Sequence, residues 1–152
     1  MKKYSTLIVL SIFTFFSCEK DDICIETTTP SLVIRFYNND IQTQLKQIQL
    51  DSVWEINLYG IEKYKDISID SIAIPLDLNK NETTYILENN SVKDTIKFNY
   101  NRSDIFVSRS CGYKTIFEGL QIESTTSNWI KNISINNTII ENDTTAHISI
   151  FH

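Results

Sequence analysis

The chain of 152 residues contains three cysteines and two histidines, the side chains best suited to nucleophilic chemistry and metal binding. Their spacing fits neither role. Cys18, Cys24 and Cys111 form no Cys-x-x-Cys pair, and His147 and His152 lie five residues apart, so that on a strand they point to opposite faces. No serine stands in a recognisable triad motif. We therefore predict no catalytic residues, no metal and no cofactor, and a protein that is not an enzyme.

A short positive segment followed by an apolar run opens the chain. Lys2 and Lys3 precede the run, which extends from Tyr4 to Ser17. This order is typical of a secretion signal. The run of about 14 residues would reach roughly 21 Å as a helix, short of the ~30 Å hydrocarbon core of a bilayer, so a permanent transmembrane helix is the weaker interpretation.

The apolar run ends in Phe15-Phe16-Ser17-Cys18, which resembles the lipobox of bacterial lipoproteins. The small Ser17 fits the cleavage site, and Phe15 replaces the more usual Leu. The resemblance implies that residues 1–17 are a signal peptide and that Cys18 carries lipid, because several acyl chains on one residue hold a protein at a membrane. A plain signal peptide, with Cys18 paired elsewhere, is the alternative.

The next residues are Glu19, Lys20, Asp21 and Asp22. They resemble the tag that sends many Bacteroidota lipoproteins to the outer face of the outer membrane. The resemblance implies a surface-export signal and a domain facing the cell exterior. A periplasmic orientation, with the four residues as a solvated charged tether, is the alternative.

If Cys18 carries lipid, Cys24 and Cys111 remain as an even pair in an oxidising compartment. A disulfide between them is then the simplest account. It would tie the tether to a distant part of the domain.

The remainder of the chain favours strands. Ile, Thr, Tyr and Phe are plentiful, only three Gly and two Pro occur, and Asn pairs such as Asn89-Asn90 are expected to make turns. Residues 41–48 also fit a short helix or an irregular crossover. The predicted strands are Ser31–Tyr37, Val53–Tyr59, Ile67–Ile69, Ile72–Leu78, Thr84–Glu88, Asp94–Tyr100, Asp104–Arg109, Tyr113–Ile122, Trp129–Ile135 and Thr145–Phe151.

These segments predict an all-β protein with a single β-sandwich, immunoglobulin-like or transthyretin-like, of about eight or nine short antiparallel strands. Residues 18–30 form the lipidated tether and residues 31–152 the sandwich domain. In the second strand we expect Trp54, Ile56 and Leu58 to face the core. The alternation changes phase near Ser71 and Gly119, which predicts bulges or strand switches there.

Charge excludes one class of partner. The formal net charge is −5, and removal of Lys2 and Lys3 makes the mature chain more acidic still, so nucleic acid binding is not expected. Aromatic residues, Trp54 and Trp129 among them, are expected mainly in the core, with an exposed glycan platform as the alternative. Four Asp-Ser/Thr-apolar segments, beginning at residues 51, 70, 94 and 143, resemble O-glycosylation acceptors of Bacteroidota.

Three segments resemble a family of small Flavobacteria-type lipoproteins of unknown function: Cys18–Tyr37, Ser108–Tyr113 and Ala146–His152. The resemblance implies an outer-membrane lipoprotein and supplies no catalytic residues. We therefore expect a non-catalytic binding or accessory subunit, held in the membrane through Cys18 and docked on an outer-membrane protein. Capture of a glycan or small ligand is the alternative.

Overall fold

The computed structural model describes residues 23–24, 29–57 and 61–152, and their regular secondary structure is almost entirely strands. One 3-10 turn at Glu62–Tyr64 interrupts them. The strands are β1 (Leu32–Tyr37), β2 (Ile48–Leu50), β3 (Ser52–Glu55), β4 (Ile67–Ile69), β5 (Ser71–Ile74), β6 (Glu82–Asn89), β7 (Val92–Ser108), β8 (Gly112–Thr125), β9 (Asn132–Ile135) and β10 (Ile148–Phe151).

The strands form two four-stranded sheets and one small pair. The first sheet has the order β5-β1-β10-β9, the second has the order β3-β6-β7-β8, and β2 pairs with β4. Side chains of both large sheets contribute to one hydrophobic cluster, which includes Phe36 and Ile148 from the first and Leu87 and Phe98 from the second. The predicted all-β sandwich is confirmed.

Strands β1 and β10 run parallel, with Ile34 opposite Ile148 and Phe36 opposite Ile150. The other strand pairs are antiparallel, so this pair departs from the arrangement that the sequence predicted. All four residues of β10 are buried. A strand that is apolar and covered on both faces suits the interior of a sheet and a parallel neighbour.

Strands β7 and β8 are much longer than predicted, at 17 and 14 residues. The segments Asp94–Tyr100 and Asp104–Arg109 are one strand, because its register shifts at Asn99/Asn101 without ending the pairing. Gly119 lies at this irregularity with φ +65°, a conformation that glycine adopts without steric cost. The bulge predicted near Gly119 is therefore confirmed. Near Ser71 the chain passes from β4 in the small pair to β5 in the first sheet, as expected.

Strand β3 has the opposite phase to the one predicted. Val53 and Glu55 are buried, Trp54 is half-buried, and Ile56 lies beyond the strand and is exposed. A shift of one residue exchanges the two faces of a strand. The carboxylate of Glu55 tolerates burial because it accepts hydrogen bonds from the backbone N–H of Asn57 at 2.9 Å and from its side-chain amide at 3.2 Å. Leu58, also predicted to face inward, lies outside the described residues.

The segment between β1 and β2 is an irregular crossover, one of the two structures that the sequence allowed. The side-chain oxygen of Asn38 accepts hydrogen bonds from the N–H groups of Asp40 and Ile41, which turns the chain. Leu45 then forms an isolated bridge with Tyr37. The apolar residues whose spacing resembled a helix therefore have other roles: Leu45 forms this bridge, and Ile48 begins β2.

A buried carboxylate fixes the connection between β8 and β9. Asp94 accepts hydrogen bonds from the hydroxyl of Thr126 at 2.6 Å and from the backbone N–H groups of Asn128, Trp129 and Ile130 at 2.8–2.9 Å. Burial alone would raise the pKa of Asp94, but these hydrogen bonds outweigh it and hold the pKa below the ordinary value. The charged carboxylate thus holds the loop against the core.

We expect Asp94→Asn to lower the free energy of unfolding by about 2–4 kcal/mol, because an amide cannot accept all four hydrogen bonds and leaves buried donors unpaired. Since folding lowers the pKa of Asp94, its contribution is present above the ordinary Asp pKa and is lost as the pH falls below about 4. Urea unfolding at pH 7 and pH 3 measures both effects.

Asp104→Asn is the matched control, because Asp104 lies on the same strand, is exposed and accepts one hydrogen bond from the hydroxyl of Thr115. We expect a change within about 0.5 kcal/mol there. Equal losses for the two variants would contradict the role given to Asp94.

Candidate functional site

The long β7–β8 hairpin extends past the rest of its sheet. Strand β6 pairs with β7 only as far as Asn99, whereas β8 pairs with β7 out to Ser108. We call residues 101–117 the hairpin extension and residues 104–115 its tip. From Asn101 outward, β7 has only one neighbouring strand. The extension places its tip away from the sandwich core.

A disulfide joins the hairpin tip to the N-terminal segment. Cys24 and Cys111 are bonded, with their Cα atoms 4.9 Å apart, although they are separated by 87 positions in the sequence. The predicted pairing is confirmed. At the tip, the N–H of Cys111 donates to the hydroxyl of Ser108 at 3.0 Å, and Gly112 takes φ +70° to close the turn. The segment that carries residue 24 is therefore fixed at the outer end of the hairpin.

The tip also carries two exposed aromatic rings. Phe106 and Tyr113 are cross-strand partners whose ring centroids lie 5.4 Å apart in an edge-to-face arrangement. Phe106 is 59% exposed and Tyr113 is 68% exposed. Exposed rings of this kind mark interaction surfaces more often than isolated apolar residues do. Sequence reasoning missed Phe106, since a strand pattern does not show where a hairpin leaves its sheet.

The described residues do not include the predicted lipidation site, Cys18, or the predicted export signal, Glu19, Lys20, Asp21 and Asp22. Within the described part of the chain, no helix is long and apolar enough to cross a membrane.

A polar groove lies where the hairpin extension begins. It has a volume of about 510 Å³ and runs between the start of β6 and the bulge of β7 and β8. Amide side chains dominate the lining, with one cation and one carboxylate. The lining residues are Lys80, Asn81, Glu82, Asn99, Tyr100, Asn101, Gly119 and Gln121.

A second groove of about 410 Å³ lies on the other side of Lys80 and includes the buried carboxylate of Glu55. Its Tyr85 donates a hydrogen bond to the carbonyl of Pro75 at 2.7 Å. Burial, the charge of Glu55 and the neighbouring Tyr100 all raise the pKa of Tyr85. The hydroxyl of Tyr85 therefore stays protonated at neutral pH and does not act as a base.

The two tryptophans named as glycan-platform candidates line neither groove. Trp129 is buried, and its indole N–H points to the carbonyl of Leu87 at 3.4 Å. Trp54 lies on the outer face of the second sheet with the ammonium of Lys93 5.2 Å from its ring centroid. Core packing, the expected role of these aromatics, is confirmed for Trp129.

Both histidines are held by backbone contacts. The N–H of Val33 donates to Nδ1 of buried His147 at 3.0 Å, which places the ring proton on Nε2. Burial lowers the pKa of His147, and the charge of Asp143 raises it in part. Nε2 of His152 lies 3.3 Å from the carbonyl of Lys46. Among the described residues, no three metal-binding side chains are grouped.

The chain belongs to a family of unknown function, DUF6452, whose model matches residues 10–152. The match covers the sandwich and both cysteines of the disulfide. No curated protein and no solved structure matches the chain significantly.

The lowered pKa of His147 predicts a loss of stability in mild acid. Because burial disfavours the charged ring, and the neutral ring accepts the Val33 hydrogen bond, the unfolded chain binds a proton first, and stability declines as the pH falls below about 6.5. We expect a slope of up to about 1.4 kcal/mol per pH unit for this group. Urea unfolding between pH 7.5 and 5.5 measures it.

His147→Gln should reduce that slope, because its side-chain oxygen can accept the same hydrogen bond without titrating. His152→Gln measures the separate contribution of the second ring, whose pKa burial also lowers. An unchanged slope in His147→Gln would refute the assignment.

Proposed function

We propose that the protein is a small outer-membrane lipoprotein of the Flavobacteria type that acts as a non-catalytic binding or accessory subunit of an outer-membrane protein complex. Cys18 carries the lipid, and Glu19, Lys20, Asp21 and Asp22 direct the domain to the cell exterior. The observation that carries the proposal is the Cys24–Cys111 disulfide.

The disulfide supports lipidation of Cys18 because it accounts for the other two of the three cysteines. The chain has three, and Cys24 and Cys111 are bonded to each other. This removes the alternative in which Cys18 pairs with one of them. Structural disulfides persist mainly in oxidising compartments, which agrees with an exported protein. Cys18 then directly follows the signal sequence, as the residue to which lipid is attached.

The roles of the buried polar groups favour binding over catalysis. Asp94 caps a loop, His147 accepts a backbone hydrogen bond, and Tyr85 and Glu55 are engaged locally. A rigid scaffold with an exposed aromatic pair at one end suits attachment and docking. We infer that the chain contributes a surface to a larger assembly.

Mass spectrometry of native protein from membranes tests the anchor. The mature N-terminal peptide should begin at Cys18 and carry acyl chains, and Cys18→Ser should lose most membrane retention, because a single residue holds the lipid. Cys111→Ser is the matched control and should stay with the membrane. An unmodified Cys18, or full retention of Cys18→Ser, would disprove the lipoprotein assignment.

Co-purification from the same membranes tests the accessory role separately from the anchor. After crosslinking and mild detergent extraction, an outer-membrane protein should co-purify with the wild-type chain. Cleavage of the domain by protease added to intact cells shows exterior display. Recovery of an acylated monomer alone would contradict the accessory role while leaving the anchor intact.

A second candidate function is capture of a glycan, which the amide-lined groove favours. Amide and carboxylate side chains are the groups that hydrogen-bond sugar hydroxyls in concave sites. Asn101 and Gln121 are exposed lining residues of this groove. The groove lies where the hairpin extension begins, so a polar ligand there would contact both β7 and β8.

For glycan capture we expect a positive signal on a glycan array and at least tenfold weaker binding, about 1.4 kcal/mol, in Asn101→Ala/Gln121→Ala, because the groove loses two hydrogen-bonding side chains. Gln49→Ala, an exposed position on β2 outside the groove, should bind normally. No binding by the wild type, or equal binding by both variants, would exclude this function.

A further inference from the structure

We propose that the tip of the β7–β8 hairpin, through Phe106 and Tyr113, contacts the surface of the lipid bilayer in which Cys18 is anchored. This inference rests on the proposed function, because it takes Cys18 as acylated. It adds an orientation and a contact surface that the anchor alone does not supply.

The length of the chain between Cys18 and Cys24 places the tip near the membrane. Six residues span at most about 22 Å when fully extended. Cys24 is bonded to Cys111, and Tyr113 follows two residues later. A lipid on Cys18 therefore holds the exposed aromatic pair within a few tens of ångströms of the bilayer surface.

The same bond selects which end of the long strand faces the membrane. Strand β7 contains 17 residues from Val92 to Ser108. At about 3.3 Å per residue, its two ends lie roughly 50 Å apart. The tether is attached beside the Ser108 end, so the turn before Val92 lies far from the bilayer.

The side chains of the tip suit the boundary between lipid headgroups and acyl chains. Tyr and other amphipathic aromatics collect at that depth, where the ring meets apolar groups and the hydroxyl meets water. Ile23, next to the disulfide, is 83% exposed, and Ile105 is exposed on the opposite face of the hairpin from Phe106. The outer end of the hairpin therefore exposes apolar side chains on both of its faces.

The charges of the tip are offset by those of the tether. Arg109 and Lys114 flank the turn, with Asp104 as the single carboxylate of the tip, in a chain whose net charge is −5. Lys114 also donates a hydrogen bond to the carbonyl of Glu141, and residues 19–22 of the tether add a net charge of −2. The contact with the bilayer must therefore come from the exposed apolar side chains of the tip and not from charge.

Fluorescence quenching by brominated lipids tests the contact directly. Phe106→Trp is introduced into the full acylated chain, which is reconstituted into vesicles of brominated phosphatidylcholine and phosphatidylglycerol. We expect quenching of the added emission by at least about half, because interfacial aromatics lie next to the acyl chains. Tyr113→Trp repeats the test at the partner position, should Phe106→Trp fold poorly.

Val92→Trp is the matched control. Val92 is exposed and lies on the same strand at the opposite end. Its added emission should not change with brominated lipid. Equal quenching at positions 92 and 106, or none at 106 and 113, would overturn the proposal.

Two further results separate this inference from the proposed function. Mass spectrometry of the same sample shows whether Cys18 is acylated, and a chain without lipid that stays off the vesicles contradicts the lipoprotein assignment. An acylated, vesicle-bound chain with an unquenched tip refutes only the membrane contact. Crosslinking of that unquenched tip to a co-purified protein would assign the surface to a protein partner instead.

Discussion

The parallel pairing of β1 with β10 is the constraint on which the rest of the structure depends. It joins segments from opposite ends of the chain, as the hydrogen bond between Val33 and His147, 114 positions apart, shows. Ile34, Phe36, Ile148 and Ile150 on these strands have no exposed surface. Contacts between such distant segments cost loop entropy before they give stability, so the central pair must be strongly apolar to form. The complete burial of β10 and of the inward face of β1 meets that requirement.

Apart from Ile116 and Phe117 at its base, the hairpin extension has no such core and needs other support. A two-stranded ribbon alone is only marginally stable in water. Here the backbone of Phe117 exchanges hydrogen bonds with Ile140, and the N–H of Leu120 donates to the carbonyl of Thr138. The guanidinium of Arg102 donates to the carbonyl of Leu78 and to the side chain of Asn81. The disulfide closes the outer end, so the tip is held at both its base and its turn.

Sequence reasoning recovered what local pattern determines. Alternation placed Leu32, Ile34 and Phe36 in the core, and the count of cysteines predicted the Cys24–Cys111 bond. Asn90 and Ser91 take positive φ in the predicted turn, a conformation that Asn tolerates well.

Features that depend on contacts between distant segments were not predictable in the same way. The predicted phase of β3 was wrong because Trp54 and Val53 are both good strand residues, and only packing against the partner sheet decides which one is buried. The merging of two predicted strands into β7 depends on pairing with β8. The grooves depend on the bulge at Gly119, which the change of phase indicated, and on the loop before β6, which leaves no periodic signal.

In the proposed arrangement, the disulfide and the aromatic pair have different effects on orientation. Without the bond, the tether would run from Cys18 to Ser31, whose N–H is held by Asp143. Shortening a flexible tether from 13 residues to six raises the effective concentration of its end only about threefold, which corresponds to roughly 0.7 kcal/mol. Full burial of one large apolar side chain contributes about 1.5–3 kcal/mol. The bond therefore brings the tip near the membrane, and the energy that keeps it there must come mainly from Phe106 and Tyr113.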